Sequence, residues 1–299
     1  MRAIAVLIVF AILATGNSAF AGPPPAYFVD ETKLPFDELP GLPSQRLWGV
    51  LNGAGYRIEV PANWNGSLVM WAHGYRGTGL ELTVDNHPLR QFLLAQGYAW
   101  AASSYSRNAY DPSQGAKDTH APAQFFNGKF GKPRRTYVTG ASMSGHVTAV
   151  VAEQWEQSYD GAMPIYGVLG DIANVTPTTG NLRIPMVTLH TLGDLFVPFH
   201  MEQEYARRVA AHGASDLLVQ RATRDVGHCS FTPRELVQTF VALVTWVEAG
   251  VKPEGDDVLD PAVVADPNYG CKFTDKVSPR LWDTVPGLAF LKPAACPAN

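Results

Sequence analysis

The sequence predicts an α/β protein with a mostly parallel central sheet and helices on both faces. Three observations carry that prediction. Leu68-Val69-Met70-Trp71-Ala72 is an unbroken apolar run, as a central strand buried on both faces requires. Arg134 to Trp155 reads as a strand, a tight turn and a helix. Its β-branched and aromatic residues lie at 135–139, its small residues run from Gly140 to Gly145, and Val147, Val150, Val151 and Trp155 follow at helical spacing. Beyond it, strand-length apolar runs alternate with amphipathic helical stretches, the pattern of repeated βα units.

Before those units, Met1-Arg2, the apolar stretch Ala3 to Ala14 and then Ala19-Phe20-Ala21 have the charged, apolar and A-x-A regions of an export leader. This predicts cleavage after Ala21 and a secreted or periplasmic product. The apolar stretch falls short of the roughly 20 residues a bilayer-spanning helix needs, and no later stretch approaches it, so no membrane span is expected. Residues 22–47, with Pro23-Pro24-Pro25, Pro35 and Pro40, read as an extended N-terminal arm. Residues 48–250 are enough for one large domain, and 251–299, rich in Pro, Asp and Gly, read as a tail packed on it. A formal net charge of −4 and the lack of a basic run argue against nucleic acid as a partner.

Within the domain, Trp48 to Leu51 and Tyr56 to Val60 flank Asn52-Gly53-Ala54-Gly55 as an antiparallel hairpin. A short helix over 89–97 precedes a strand over 98–104. The interval 106–121, with Asn108, Asp111, Pro112 and Gly115, reads as loop-rich, and a helix is expected over 118–131. After the strand-turn-helix unit, strands are expected over 162–169, 184–189 and 217–222, with a helix over 201–212. Thr232-Pro233-Arg234-Glu235 opens a final helix that turns Leu236, Phe240, Leu243, Val244 and Val247 to the core. Of the three cysteines, Cys271 and Cys296 share the irregular tail and are the pairing we favour for a disulfide. Either could instead pair with Cys229, and the sequence alone does not choose.

Gly140-Ala141-Ser142-Met143-Ser144 resembles the G-x-S-x-G nucleophile elbow of the α/β-hydrolase superfamily, with Ser144 where a second glycine is usual. The resemblance implies Ser142 as nucleophile at the start of a helix whose free N–H groups favour an anion. His73-Gly74-Tyr75 is similar to the H-G-x step after the third strand, which implies the Tyr75 and Met143 N–H groups as the oxyanion hole. That pair also looks like the one in bacterial cutinases and related polyester hydrolases. Gly193 to Pro198 is similar to the acid loop after the seventh strand, implying Asp194 as the triad acid, with Asp171 after the preceding strand as the alternative. Asp225-Val226-Gly227-His228 falls where the family places its histidine. His228 is then the base, with Asp225 a turn residue and His73, His146, His190, His200 and His212 structural or on the surface.

Taken together, the resemblance over residues 48 to 250 implies an α/β-hydrolase with little or no cap, because the interval 172–182 is short. It implies a serine esterase acting through an acyl-enzyme on small-molecule or polymeric esters, with no cofactor and no metal. The alternatives are a serine peptidase of the prolyl-oligopeptidase-like branch and a non-catalytic binding protein on the same fold.

Overall fold

The computed structural model describes residues 26–297 apart from 173–174 and 229; the expected leader over Met1 to Ala21 and the thiol of Cys229 lie outside the described residues. In chain order the elements are β1 (Phe28–Val29), β2 (Ser44–Leu51), β3 (Ala54–Pro61), β4 (Ser67–Ala72), β5 (Glu81–Leu82), α1 (Arg90–Ala95), β6 (Ala99–Ser103), α2 (Pro112–Phe130) and β7 (Arg135–Ala141). There follow α3 (Met143–Gln154), β8 (Gly161–Ile165), β9 (Met186–Thr191), α4 (His200–Ala211), β10 (Leu218–Thr223), α5 (Pro233–Ala249), α6 (Pro261–Val264) and α7 (Leu281–Thr284). Eight strands form the main sheet in the order β10-β9-β8-β7-β4-β6-β3-β2. β3 runs antiparallel to both its neighbours, and every other pair is parallel.

Side-chain alternation along the strands divides the core into two layers. Leu68 and Met70 of β4 and Val138 of β7 face one cluster, which α2, α3 and α4 cover with Phe126, Val147, Val150 and Tyr205. Val69, Trp71 and Tyr137 face the other, which α1 and α5 cover with Leu93, Leu94, Phe240 and Leu243. The N-terminal arm adds Leu34 and Phe36 to this second layer. The parallel strands from β4 to β10 thus end at one edge of the sheet, and the loops after β4, β7, β9 and β10 meet there.

Two local expectations are corrected. The interval read as loop over 106–121 is helical from Pro112, because Asp111 and Pro112 form a helix start. The Asp111 carboxylate accepts from Gln114 N–H at 3.0 Å, and the proline ring presets the first helical φ. The strand expected over 162–169 ends at Ile165, because Tyr166 takes φ 36° and leaves the sheet. Between β8 and β9 the described residues contain no helix, so no helical lid arises from the described part of that interval. Among the described residues no helix is long and apolar enough to cross a membrane.

Beyond α5 the chain returns along the outer side of β10. Asp256 N–H donates to the Gln220 carbonyl at 2.7 Å, its carboxylate accepts from Ala222 N–H at 2.8 Å, and Arg224 N–H donates to the Thr274 hydroxyl at 2.8 Å. A Cys271–Cys296 disulfide closes the segment that follows. Inside that loop, Arg280 is buried and its guanidinium donates to Asp225 at 2.9 Å and to Glu235 at 3.2 Å, both carboxylates themselves buried. Glu235 belongs to the capping box of α5 with Thr232, so the tail grips the start of that helix.

Asp275 completes the grip, accepting from the Thr232 hydroxyl at 3.0 Å and from Val277 N–H at 2.9 Å. Burial raises its pKa, but the hydrogen bonds from Ser278, Val277 and Thr232 outweigh that, and the carboxyl is held at about 2, against an ordinary value of 3.8. A depressed carboxyl contributes stability above its unfolded pKa and loses it as the pH falls through the folded value. Thermal melts from pH 5 to pH 2 should therefore show a decline that is shallower in Asp275→Asn, which should also melt lower than the parent at pH 5. Equal pH dependence in the two proteins would show that this carboxylate does not anchor the tail.

Candidate active site

Ser142 is the single residue between β7 and α3, at φ 64° and ψ −128°. A side chain rarely adopts positive φ, so the surroundings must hold this one there. Its N–H donates to the Ile165 carbonyl at the end of β8 at 3.0 Å. At Gly140 a β-carbon would lie 2.4 Å from the Ser144 carbonyl oxygen, and at Gly145 one would lie 2.4 Å from the Cα of Gly167. Only glycine lets strand, helix and the chain after β8 pass this closely. Ser144, where the resemblance leads one to expect glycine, has its own use. Its hydroxyl accepts from Ala141 N–H at 2.7 Å and donates to the Ala141 carbonyl at 2.6 Å, fastening the peptide just before the turn.

The loops after β9 and β10 bring Asp194 and His228 to this serine. His228 Nε2 lies 2.7 Å from Ser142 Oγ, and its Nδ1 lies 2.6 Å from Asp194 Oδ2. The other carboxylate oxygen accepts from Phe196 N–H at 2.8 Å and Val197 N–H at 3.0 Å. Burial penalises the charge of Asp194, yet His228 and the two N–H groups together outweigh it and lower its pKa below the ordinary value. An ionised carboxylate at Nδ1 places the imidazole proton there, leaving the Nε2 lone pair towards the serine hydroxyl. The two loops are tied to each other, with Gly193 N–H donating to the Asp225 carbonyl at 2.8 Å and the Thr191 hydroxyl to the Gly227 carbonyl at 3.1 Å. Tyr166 packs edge-on against the imidazole at 4.8 Å, and Phe196 lies 5.4 Å from it.

The loop after β4 closes the other side. A β-carbon on Gly74 would lie 3.1 Å from the Ala141 carbonyl oxygen and 3.4 Å from Ser142 Cβ, so the Gly74–Tyr75 backbone runs beside the elbow. Among the described residues neither the Tyr75 N–H nor the Met143 N–H has an acceptor within the protein. His73 behind them is buried, faces the carbonyls of Gly74 and Ser104 at 2.7 and 2.9 Å, and stacks on Tyr105 at 3.9 Å. Burial first, and the nearby Arg76 charge second, lower its pKa to about 4, so it is neutral at pH 7.

The rival candidates lie elsewhere. The Asp171 side chain is 80% exposed and pairs with Arg208 at 2.7 Å. Asp225 accepts from Val226 N–H at 2.7 Å and Gly227 N–H at 3.0 Å, shaping the turn before His228. His146 lies between the Tyr110 hydroxyl at 3.2 Å and the Thr176 carbonyl at 2.7 Å, His190 faces the Thr191 carbonyl at 2.9 Å, and His200 reaches Glu204 at 3.8 Å. Among the described residues no group of three or more His, Cys, Asp or Glu is arranged to hold a metal ion.

Around Ser142 is an open cleft of about 590 Å³, lined by Trp71, Tyr75, Tyr110, Met143, Tyr166 and Phe196 among others, with His228 the one ionisable imidazole in its wall. Its rim is apolar: of its lining residues, Phe196 is 81% exposed and Tyr75 52%. Sequence reasoning passed over Tyr166, whose role depends on a backbone angle, and Arg280, which reaches Asp225 from 55 residues away.

No known protein-family profile matches the chain. It is 28% identical over 117 residues to o-phthalyl amidase of Xanthobacter agilis, a match that covers 38% of this chain and 25% of the amidase. The chain thus matches about a quarter of the length of that curated relative. Among solved structures it is similar to the esterase Pf2001 of Pyrococcus furiosus (TM-score 0.51, 14% identity, 70% of this chain and 90% of that one). It is also similar to the acylaminoacyl peptidase of Pyrococcus horikoshii (TM-score 0.52, 10% identity, 69% and 41%). A third, from Klebsiella pneumoniae and assigned as a dienelactone hydrolase, gives a TM-score of 0.56 at 15% identity over 69% and 98% of the two chains. At such identities the likeness is one of architecture, and the chain has the α/β-hydrolase fold.

Proposed function

We propose that the chain is a serine hydrolase that cleaves carboxylic esters through an acyl-enzyme. The observation that carries this is the hydrogen-bonded series Asp194–His228–Ser142, with 2.6 and 2.7 Å links. In this reading His228 Nε2 takes the Ser142 proton as Oγ attacks the ester carbonyl. The oxyanion settles against the Tyr75 and Met143 N–H groups, which need no reorganisation to receive it. Collapse breaks the C–O bond, and the imidazolium returns its proton to the departing alkoxide. Water, activated by the same imidazole, then releases the acid and frees Ser142.

Esters are favoured because the described lining of the cleft offers aromatic and aliphatic surface and, among those residues, no carboxylate to hold the ammonium of a free peptide N-terminus. The open cleft and its apolar rim support bulky or polymeric esters. The similarity to an amidase favours a second reading, amide hydrolysis at the same serine. Export, proposed from the leader-like Met1 to Ala21, is supported by the Cys271–Cys296 disulfide.

A fluorophosphonate probe should label Ser142, and p-nitrophenyl butanoate should be hydrolysed much faster than butanoyl p-nitroanilide, with release from polyester film detectable. Faster anilide cleavage would favour the amidase reading. Failure of Ser142 to label would overturn hydrolysis by either route.

A further inference from the structure

The two sulfurs of the disulfide that closes the tail have different surroundings. Cys296 is half-buried and lines a cleft of about 240 Å³ that shares no lining residue with the one around Ser142. Cys271 is buried, 6% exposed, and does not line that cleft. The Arg224 guanidinium donates to the Cys271 sulfur at 3.4 Å, and among the described residues Arg224 has no carboxylate partner. Arg224, Lys276, Arg280 and Lys292 line the cleft against two carboxylates, Asp275 and Asp283. One sulfur is therefore open to a reagent in a cationic setting, and the other sits beside a charge that stabilises a thiolate. Between the two cysteines lie Asp275 and Arg280, the residues that grip the start of α5 and the turn before His228.

We propose that this disulfide is an exchange site for small anionic thiols, and that opening it lowers the activity of the triad. In the first step the reagent thiolate attacks Cys296 Sγ and forms a new S–S bond with it. The Cys271–Cys296 bond breaks with its electron pair passing to Cys271 Sγ, so the reagent sulfur is oxidised and Cys271 reduced. The Cys271 thiolate is left beside Arg224, whose charge makes it a better leaving group. A second reagent thiolate displaces Cys296 from the mixed disulfide, giving a free thiol and the oxidised reagent dimer. Residues 272–295 then lose their covalent closure. Arg280 belongs to that stretch, so its hold on Asp225 loosens, and Asp225 is the acceptor of the Val226 and Gly227 N–H groups ahead of His228. The effect passes from sulfur to tail to turn to imidazole, with no contact between the reagent and Ser142.

The test treats the full chain with mercaptoacetate, an anion, or 2-mercaptoethylamine, a cation, at equal thiolate concentration and low ionic strength, then quenches with iodoacetamide and maps the peptides. The expected result is the reagent on Cys296 and the carbamidomethyl group on Cys271, with the anion faster by about tenfold. Arg224→Met should slow the exchange by about tenfold, and Arg224→Lys should recover most of the rate. Full reduction should lower Tm by an amount on the order of 10 °C. Ester turnover, the one readout that rests on the function proposed above, should fall by about tenfold and return on reoxidation. The double variant Cys271→Ser, Cys296→Ser should match the reduced parent and not respond to thiol. Reagent found on Cys271, equal rates for the two thiols, or no slowing in Arg224→Met would overturn the site. Unchanged turnover in the fully reduced chain would overturn its link to the triad. A parent with no ester turnover would overturn the esterase reading and leave the peptide map and the melts to decide the exchange site.

Discussion

Ser142→Ala should leave a folded protein whose ester turnover is lower by a factor on the order of 10⁶, the scale expected when a triad nucleophile is removed. The reason lies in the geometry: the Ser142 hydroxyl lies 2.7 Å from His228 Nε2, beside the Tyr75 and Met143 N–H groups. Ser142→Gly sharpens the experiment. Serine at φ 64° carries strain of roughly 1–3 kcal/mol that glycine does not. The glycine variant should be equally inactive and melt above the parent, whereas the alanine variant should keep the strain. Turnover by either variant well above background would remove Ser142 from the chemistry. A glycine variant that melts lower would show that the elbow is not strained.

The second large effect is expected far from the serine. Arg280→Met leaves Asp225 and Glu235 buried without their shared cation, a change that typically costs about 3–5 kcal/mol. For a domain of this size that corresponds to a fall in Tm on the order of 10 °C. Activity should fall as well, since Asp225 holds the Val226 and Gly227 N–H groups of the turn that presents His228. Arg280→Lys should recover only part of both losses, because an ammonium supplies the charge but not the fork that reaches two carboxylates at once. Melting and kcat should therefore order the three proteins alike. An unchanged Tm in the methionine variant would show that the tail merely packs on the surface.

The parts of the site legible in the sequence are those whose chemistry is local. A serine among glycines between a β-branched run and a helical repeat can do little except form a strained turn, and the acid and histidine loops likewise follow directly on β9 and β10. Local reasoning failed where one residue serves two grammars. Asp111 and Pro112 signal a loop and a helix start equally well, and only the packing of Phe126 and Ala123 behind them decides for the helix. It had no purchase where partners are distant. Nothing near Arg280 marks it as the counter-ion of Asp225, and nothing near Tyr166 or Phe231 marks their rings as a stacked pair.

The returning chain along β10 has a consequence for the behaviour of the protein in concentrated solution. β10 is the last strand of the sheet, and a last strand with open N–H and C=O groups is a template on which another molecule can add a strand. Asp256 and Thr274 occupy the outward groups of Gln220, Ala222 and Arg224, so the tail acts as a guard against self-association. Trimming the C-terminal residues to simplify the molecule would uncover that template, and the first sign would be turbidity.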